Sequence, residues 1–160
     1  GLSAGGGLAA AVAQMARDLG GPRLAGQMLI APMLDDRPTL SWRQFPVGIW
    51  NASENELGWR SLLGPRHGTD EVPPHAAPAR ATRFDDLPSA YVEVGSAEVF
   101  RDEGVAYASN IWAAGGQAEL HVWSGGFHGF HAFEHTWLAR GALDAQRNWM
   151  DRIFGYARRD

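Results

Sequence analysis

Apolar and polar positions along the chain alternate in blocks that predict helices and strands in turn. Residues 5–19 are rich in alanine, and their larger apolar side chains recur at spacings of three and four, which predicts an amphipathic helix. The apolar face of this helix, which we expect to be buried, consists of Leu8, Ala11, Val12, Met15 and Leu19. An apolar run over residues 24–34 then predicts a buried strand.

The second half of the chain continues this alternation. Residues 90–95 predict a strand, residues 102–114 a helix with acidic residues in its first turn, and residues 118–123 another strand. A long helix is predicted over residues 135–158, and the side chains available for its buried face are Trp137, Leu138, Leu143, Trp149, Ile153 and Phe154. Alternating strands and helices are typical of an α/β protein whose mostly parallel sheet carries helices on both faces.

The segment between these halves, residues 35–82, is irregular and rich in Trp, Pro and Gly. Two short helices are predicted in it, one near residues 53–63 and one before Gly48, and residues 73–80 are predicted to form a loop. The tryptophans of this segment could line a substrate pocket; they are Trp42, Trp50 and Trp59.

The first five residues, Gly1-Leu2-Ser3-Ala4-Gly5, carry the pattern G-x-S-x-G directly before the first predicted helix. In a nucleophile elbow this pattern places the serine at a sharp turn between a strand and a helix, with its hydroxyl exposed. Small residues on both sides avoid steric clashes in the turn. Because an elbow follows a strand, we expect the chain to be the C-terminal part of a larger enzyme.

A serine hydroxyl needs an imidazole to accept its proton and a carboxylate to orient that imidazole. In hydrolases with such an elbow, these groups follow one another as Ser, acid and His. The sequence supplies Ser3, then Glu98 and Asp102 after one predicted strand, and His128 after the next. Since the C-terminal ends of parallel strands meet at one edge of a sheet, we expect these side chains to lie close together. The order alone leaves Glu98 and Asp102 open as the acid.

Three blocks of the sequence are more specific than the serine motif alone. They are residues 3–9 (SAGGGLA), residues 98–104 (EVFRDEG) and residues 125–130 (GGFHGF). In this order they resemble signature motifs of the hormone-sensitive-lipase-like branch of the α/β-hydrolases, the bacterial esterase and lipase group. The resemblance covers nearly the whole chain. It implies an α/β fold that is the C-terminal half of an α/β-hydrolase, with about three strands of a mostly parallel sheet flanked by helices.

The resemblance also implies a role for individual residues. The family's acid block usually reads D-P-L-R-D-E-G, and its first Asp, the triad acid, aligns with Glu98. The implied triad is therefore Ser3, Glu98 and His128, with Asp102 as a cap of the following helix. The backbone N–H of Ala4 is expected to donate to the oxyanion. The family's other oxyanion donors come from an H-G-G-G loop, which this sequence lacks.

The implied activity is that of a serine carboxylic-ester hydrolase that acts through an acyl-enzyme on short to medium acyl esters. Two alternatives stay open: an amidase, carbamate hydrolase or peptidase on the same scaffold, and a non-catalytic ligand receptor of the same fold. Residues 1–160 are expected to form a partial catalytic domain without the N-terminal strands, the H-G-G-G loop and the cap. We expect this segment alone to be inactive.

The resemblance implies a small-molecule ester as the partner, and composition argues against several other kinds of partner. A net charge of −4, with six histidines counted as neutral, gives no electrostatic case for binding nucleic acid. No apolar run approaches the roughly 18 residues of a membrane span. Cysteine is absent, and we expect no cofactor and no metal, because His131 and His135 lack an evident third ligand.

A cytoplasmic location and a homodimer through the strand over 118–123 and the last helix are also expected.

Overall fold

A computed structural model describes residues 1–155 and contains a three-stranded parallel sheet. The strands are β1 (Gln27–Ile30), β2 (Ala90–Gly95) and β3 (Ala118–Trp123), in the spatial order β1-β2-β3. This confirms the predicted parallel α/β sheet. Strand β1 is shorter than the predicted run over 24–34, because Ala31 has a positive φ of 43° and turns the chain away from the sheet.

Within residues 1–155, five α-helices precede, separate and follow the strands. They are α1 (Ala4–Asp18), α2 (Leu40–Gln44), α3 (Ala52–Leu63), α4 (Arg101–Ala113) and α5 (Trp137–Phe154). The two short helices predicted in the middle of the chain are confirmed as α2 and α3. Helix α5 begins after its N-cap Thr136 and ends before Gly155, which adopts the left-handed conformation (φ 69°) typical of a helix C-terminus. Residues 156–158 of the predicted last helix lie outside the described residues.

Strand β2 forms the centre of the molecule and is buried along its whole length. Val92 and Val94 face α4, which approaches so closely that a Cβ on Gly104 would lie 2.8 Å from Val94 Cγ1. On the opposite face, the ring of Tyr91 lies 5.9 Å from that of Trp149 in α5. Helices therefore cover both faces of β2, as expected for a parallel sheet.

The predicted buried face of α1 is wrong. Leu8 and Leu19 are 65% and 72% exposed, Val12 and Met15 are exposed as well, and only Ala11 is buried. The face against the sheet consists instead of Gly6, Gly7, Ala10, Ala11, Ala13 and Gln14. The cause is the close approach of α1 to the chain after β1: a Cβ on residue 7 would lie 2.1 Å from the carbonyl oxygen of residue 33. Only small side chains fit there, so the large ones point outward.

The predicted face of α5 is correct only in part. Trp149 is buried, but Trp137 is 79% exposed and Phe154 is also exposed. Alanines and a glutamine occupy the remaining buried positions of the helix: Ala139, Ala142 and Gln146. Within residues 1–155, no helix has both the length and the apolar character that crossing a bilayer requires.

Candidate active site

Ser3 lies in a sharp turn between an extended segment and α1. The backbone of residues 1–3 runs parallel to β1, with a bridge between Leu2 and Ile30, and the Ser3 N–H donates to the Ile30 carbonyl at 2.9 Å. At Ser3 the φ and ψ angles are 57° and −125°, a strained conformation for a residue with a side chain. The Ser3 carbonyl accepts a hydrogen bond from the Met33 N–H at 3.1 Å, which holds the turn in place. Among the described residues, the Ser3 hydroxyl has no hydrogen-bond partner.

Ala4 is the first residue of α1, so its N–H has no acceptor within the helix. No hydrogen bond from this N–H to any residue between 1 and 155 is present. The partial positive charge of a helix N-terminus adds to the attraction for an anion at this point. The Ala4 N–H is therefore available to an oxyanion that forms next to Ser3.

Glu98 and His128 contact each other in the loops that follow β2 and β3. His128 Nδ1 lies 2.9 Å from Glu98 Oε2. The other carboxylate oxygen, Oε1, accepts the Gly95 N–H at 2.7 Å, and Glu98 is almost completely buried. Because a carboxylate only accepts hydrogen bonds, Nδ1 carries the proton of this pair. The second ring nitrogen, Nε2, is then left with a free electron pair and can act as a base.

Aromatic side chains surround the His128 ring. Phe100 meets it edge-on with the centroids 5.2 Å apart, and the Trp50 ring lies 6.3 Å away. Apolar walls of this kind limit the contact of the imidazole with water. In the described part of the chain no hydrogen bond joins His128 to Ser3, although both lie at the C-terminal edge of the sheet. Such bonds are often long before substrate binds.

Asp102, the other acid in this block, makes no contact with His128. Its carboxylate accepts hydrogen bonds from the Ser41 N–H at 2.7 Å and from Arg101 Nε at 2.8 Å. Burial acts to raise the pKa of Asp102, but the hydrogen bonds from Arg101 and Ser41 outweigh it and hold the pKa below its usual value. Asp102 therefore bonds the first turn of α2 and does not cap its own helix, which corrects the expectation from the sequence.

The next residue, Glu103, is a buried carboxyl group that the sequence analysis did not single out. Its Oε1 accepts the N–H of Leu34 at 2.7 Å, and its Oε2 has no partner among the described residues. Burial raises the pKa of Glu103 well above its usual value, so the folded protein favours the protonated form of this group more than the unfolded chain does. It supports the loop after β1, whose Met33 reaches the site.

An apolar cleft of about 420 Å³ opens beside Ser3. The large apolar side chains that line it are Leu8, Met33, Trp50, Trp59 and Leu62. Trp42 does not reach it, which corrects the expectation for this residue: Trp42 is buried in the core, and its Nε1 donates to a main-chain carbonyl of α3 at 3.0 Å. The apolar lining suits the hydrocarbon part of a substrate.

The histidines after His128 do not form a metal pair. His131 lies 2.6 Å from the buried carboxylate of Glu93, whereas His135 packs at the edge of the Phe133 ring. Within residues 1–155, no group of three or more His, Cys, Asp or Glu side chains is placed to hold a metal ion. The sequence gives one indication that Glu93 has a special role: it is a charged residue inside a strand that is otherwise apolar.

Comparison with known proteins shows the family to which the chain belongs. A family model described as α/β hydrolase fold matches residues 1–132. Among curated proteins, the chain is 35% identical over 136 residues to the esterase LipI of Mycobacterium tuberculosis, an alignment that covers 81% of this chain and 41% of LipI.

Solved structures give the same result. A bacterial heroin esterase is similar with 38% identity and a TM-score of 0.83, over 91% of this chain and 48% of the esterase. Esterase LipW from Mycobacterium marinum is similar with 31% identity and a TM-score of 0.90, over 98% of this chain and 49% of LipW. The chain thus spans about half the length, or less, of the proteins it matches.

Proposed function

This chain belongs to the hormone-sensitive-lipase-like family of α/β-hydrolases, and on that basis we propose that it supplies the catalytic triad of a serine carboxylic-ester hydrolase. The observation that carries the proposal is the 2.9 Å contact between His128 Nδ1 and Glu98 Oε2, at the same sheet edge as the strained Ser3. Short to medium acyl esters are the proposed substrates, and the apolar cleft of about 420 Å³ beside Ser3 supports that class.

In the proposed reaction, His128 Nε2 takes the proton of Ser3 Oγ while that oxygen attacks the ester carbonyl carbon. The Ala4 N–H donates to the oxyanion of the tetrahedral intermediate. The C–O bond to the alcohol then breaks, and the imidazolium returns its proton to the leaving oxygen. Water, activated by the same imidazole, hydrolyses the acyl-enzyme. Glu98 keeps the proton on Nδ1 and stabilises the imidazolium, so the chemistry requires no metal or organic cofactor.

We propose that residues 1–160 are the C-terminal part of a longer catalytic domain that also contains N-terminal strands, an H-G-G-G loop and a cap. Two observations support this: matched relatives are about twice as long, and large apolar side chains of α1, such as Leu8 and Leu19, are exposed. Loss of one oxyanion donor typically costs about 10²–10³ in rate. The segment alone is therefore expected to show little or no ester hydrolysis.

A homodimer through β3 and α5 is also proposed. Strand β3 is at the edge of the described sheet, and its Val122 is exposed. Free N–H and C=O groups of an edge strand favour pairing with another strand.

A cytoplasmic location is proposed because the chain has no cysteine, which fits a reducing compartment.

The test of the proposed activity uses the complete protein that contains this chain. Wild type and Ser3→Ala are compared for hydrolysis of p-nitrophenyl butyrate and for covalent labelling by a fluorophosphonate. We expect the wild type to turn over the ester and to be labelled, and Ser3→Ala to do neither. Labelling without ester turnover would point to an amidase, carbamate hydrolase or peptidase, and absence of both would point to a receptor.

A further inference from the structure

Glu93 is a fully buried carboxylate in β2, outside the proposed triad. Four side chains donate hydrogen bonds to it: Tyr91 Oη at 2.6 Å, Trp123 Nε1 at 3.1 Å, His131 Nε2 at 2.6 Å and Gln146 Nε2 at 2.5 Å. Burial acts to raise the pKa of Glu93, but the hydrogen bonds from His131 and Tyr91 outweigh it, and the pKa lies below its usual value. Glu93 is therefore an ionised group whose two carboxylate oxygens each accept two hydrogen bonds.

Two of these donors flank His128 along the chain. Trp123 is the last residue of β3, directly before the loop that carries His128, and it donates to Glu93 Oε2. His131 follows His128 by three residues and lies in the 3₁₀ turn Phe130–Ala132, from which it donates to Glu93 Oε1. One carboxylate thus binds the chain on both sides of His128 and ties it to the central strand.

The half of the loop after His128 depends on this carboxylate more than the half before it. Before His128, the Gly126 carbonyl accepts the Ala97 N–H at 2.8 Å, which ties the loop to the turn after β2. After His128, the backbone hydrogen bonds of residues 129–133 are local. Among the described residues, the bond from His131 to Glu93 is the only hydrogen bond from this half to the sheet. The other ring nitrogen of His131, Nδ1, is buried and has no described partner.

We propose that Glu93 is a positioning residue for the proposed base: by binding Trp123 and His131, its carboxylate holds the His128 loop in the geometry that lets His128 reach both Glu98 and Ser3. This inference rests on the proposed function. Displacement of a catalytic group by 1 Å can cost about 10²-fold in rate. Release of the chain on one side of His128 is therefore expected to lower the rate of acyl transfer even when the protein stays folded.

Glu93→Gln is the direct test, because glutamine has nearly the same shape but only one acceptor oxygen. The amide NH₂ of the glutamine is itself a donor and would face two of the four groups that donate to Glu93. The Trp123 indole N–H can only donate, so it cannot accept a hydrogen bond from this NH₂ instead. In the complete protein, we expect kcat for p-nitrophenyl butyrate, measured per fluorophosphonate-titrated site, to fall about 10–10²-fold with KM nearly unchanged. We also expect the acid limb of the kcat/KM pH profile to move to lower pH, because a weaker bond to Glu98 stabilises the imidazolium less.

Three further variants separate positioning from stability. His131→Gln can still donate from its Nε2 to Glu93 and is expected to retain activity per titrated site, whereas His131→Leu is expected to lose activity as Glu93→Gln does. Asp36→Asn is the matched control, because Asp36 is also a buried carboxylate, bound to Arg80 and to the Gly68 N–H. It is expected to lower Tm without changing kcat per titrated site.

The proposal is overturned if Glu93→Gln and His131→Leu lower only Tm and the titratable fraction, as Asp36→Asn does. If Glu93→Gln does not fold, the His131 pair decides the question: equal kcat per site in His131→Gln and His131→Leu overturns it. If wild type neither hydrolyses the ester nor is labelled, the proposed function fails instead. The low-field ¹H signal of His128 Nδ1–H then tests positioning without substrate: a shift in His131→Leu, but not in Asp36→Asn, supports it, and an unchanged signal rejects it.

Discussion

Gly95 and Gly126 pack so closely that a Cβ on Gly95 would lie 2.2 Å from the carbonyl oxygen of Gly126. Gly95 ends β2 just before the loop of Glu98, and Gly126 lies in the loop of His128, two residues before that histidine. The same Gly126 carbonyl accepts the Ala97 N–H at 2.8 Å. Main-chain contacts therefore join the two loops in addition to the contact between Glu98 and His128. The distance between those two side chains depends on this glycine pair.

The first prediction is that Gly95→Ala separates the two loops. The added methyl group can be accommodated only if the His128 loop moves by about 1 Å, so kcat/KM for p-nitrophenyl butyrate is expected to fall about 10²-fold or more. Gly141→Ala in α5 is the matched control, because its Cβ would make an ordinary contact of 3.5 Å with the Trp123 ring. It should retain activity and gain about 0.5–1 kcal/mol of stability. Equal activity in both variants would contradict the prediction.

The second prediction concerns the triad acid. Glu98→Gln replaces an acceptor with a group that can also donate to His128 Nδ1, which favours the wrong tautomer of the imidazole. A loss of kcat of about 10³–10⁴-fold is expected. Asp102→Asn keeps an acceptor for the Ser41 N–H and is expected to lose less than about tenfold, because it weakens only a partly exposed ion pair with Arg101. A larger loss in Asp102→Asn than in Glu98→Gln would assign the acid to Asp102.

The strands, the parallel sheet and the order of the candidate groups could be predicted because each depends on local sequence. Strand β2 is an apolar run that ends in glycine, and the loops that hold Glu98 and His128 follow directly from β2 and β3. The packing of α1 could not be predicted in the same way. Its apolar residues recur with a helical period, but the steric limit set by Gly7 and Met33 decides that the small face turns inward.

The hydrogen-bond partners of Glu93 could not be predicted from the sequence either, for a different reason. His131 and Gln146 lie 38 and 53 residues from Glu93 along the chain, and no spacing rule relates a strand residue to partners so distant. A charged side chain in a buried strand shows that partners must exist, since an unpaired buried charge is very unfavourable. Which residues supply the donors depends on how the β3–α5 loop and α5 fold back over the sheet.

The third prediction concerns the buried carboxyl group of Glu103. Its raised pKa means that, above the usual Glu pKa, the folded protein binds a proton that the unfolded chain has released. This contribution to stability is fully present at low pH and is lost as pH rises towards the folded-state pKa. Glu103→Gln mimics the protonated form and keeps an acceptor for the Leu34 N–H.

We therefore expect Glu103→Gln to match wild type below about pH 4 and to be more stable at pH 7 by about 1 kcal/mol or more, since one pKa unit is worth about 1.4 kcal/mol. The measurement is urea unfolding of the complete protein across this pH range. Glu71→Gln is the control, because Glu71 is exposed and should give a difference that does not change with pH. Equal or lower stability of Glu103→Gln at pH 7 would show that Glu103 is ionised in the folded protein.

The last prediction concerns the size of the acyl group that the cleft accepts. Gly58 in α3 lines the cleft, and a Cβ there would lie 3.5 Å from Met33 Cε and from the Trp50 ring, in contact but without a clash. A leucine at this position should therefore extend into the cleft and leave the helix intact. The new side chain removes room for several methylene groups of the acyl chain, and each buried methylene group is worth about 0.8 kcal/mol. We therefore expect kcat/KM for p-nitrophenyl octanoate to fall about tenfold or more relative to p-nitrophenyl acetate.

Ser61→Leu is the matched control, because it adds the same side chain to an exposed position of the same helix. It should leave the ratio of octanoate to acetate hydrolysis unchanged, and Gly58→Ala should give an intermediate ratio. An equal loss on both esters in Gly58→Leu would mean that the substitution disturbs Ser3 or His128 and not the acyl site. An unchanged ratio with full activity would place the acyl chain elsewhere, because a substrate that occupies this cleft has to compete with the new side chain for the same volume.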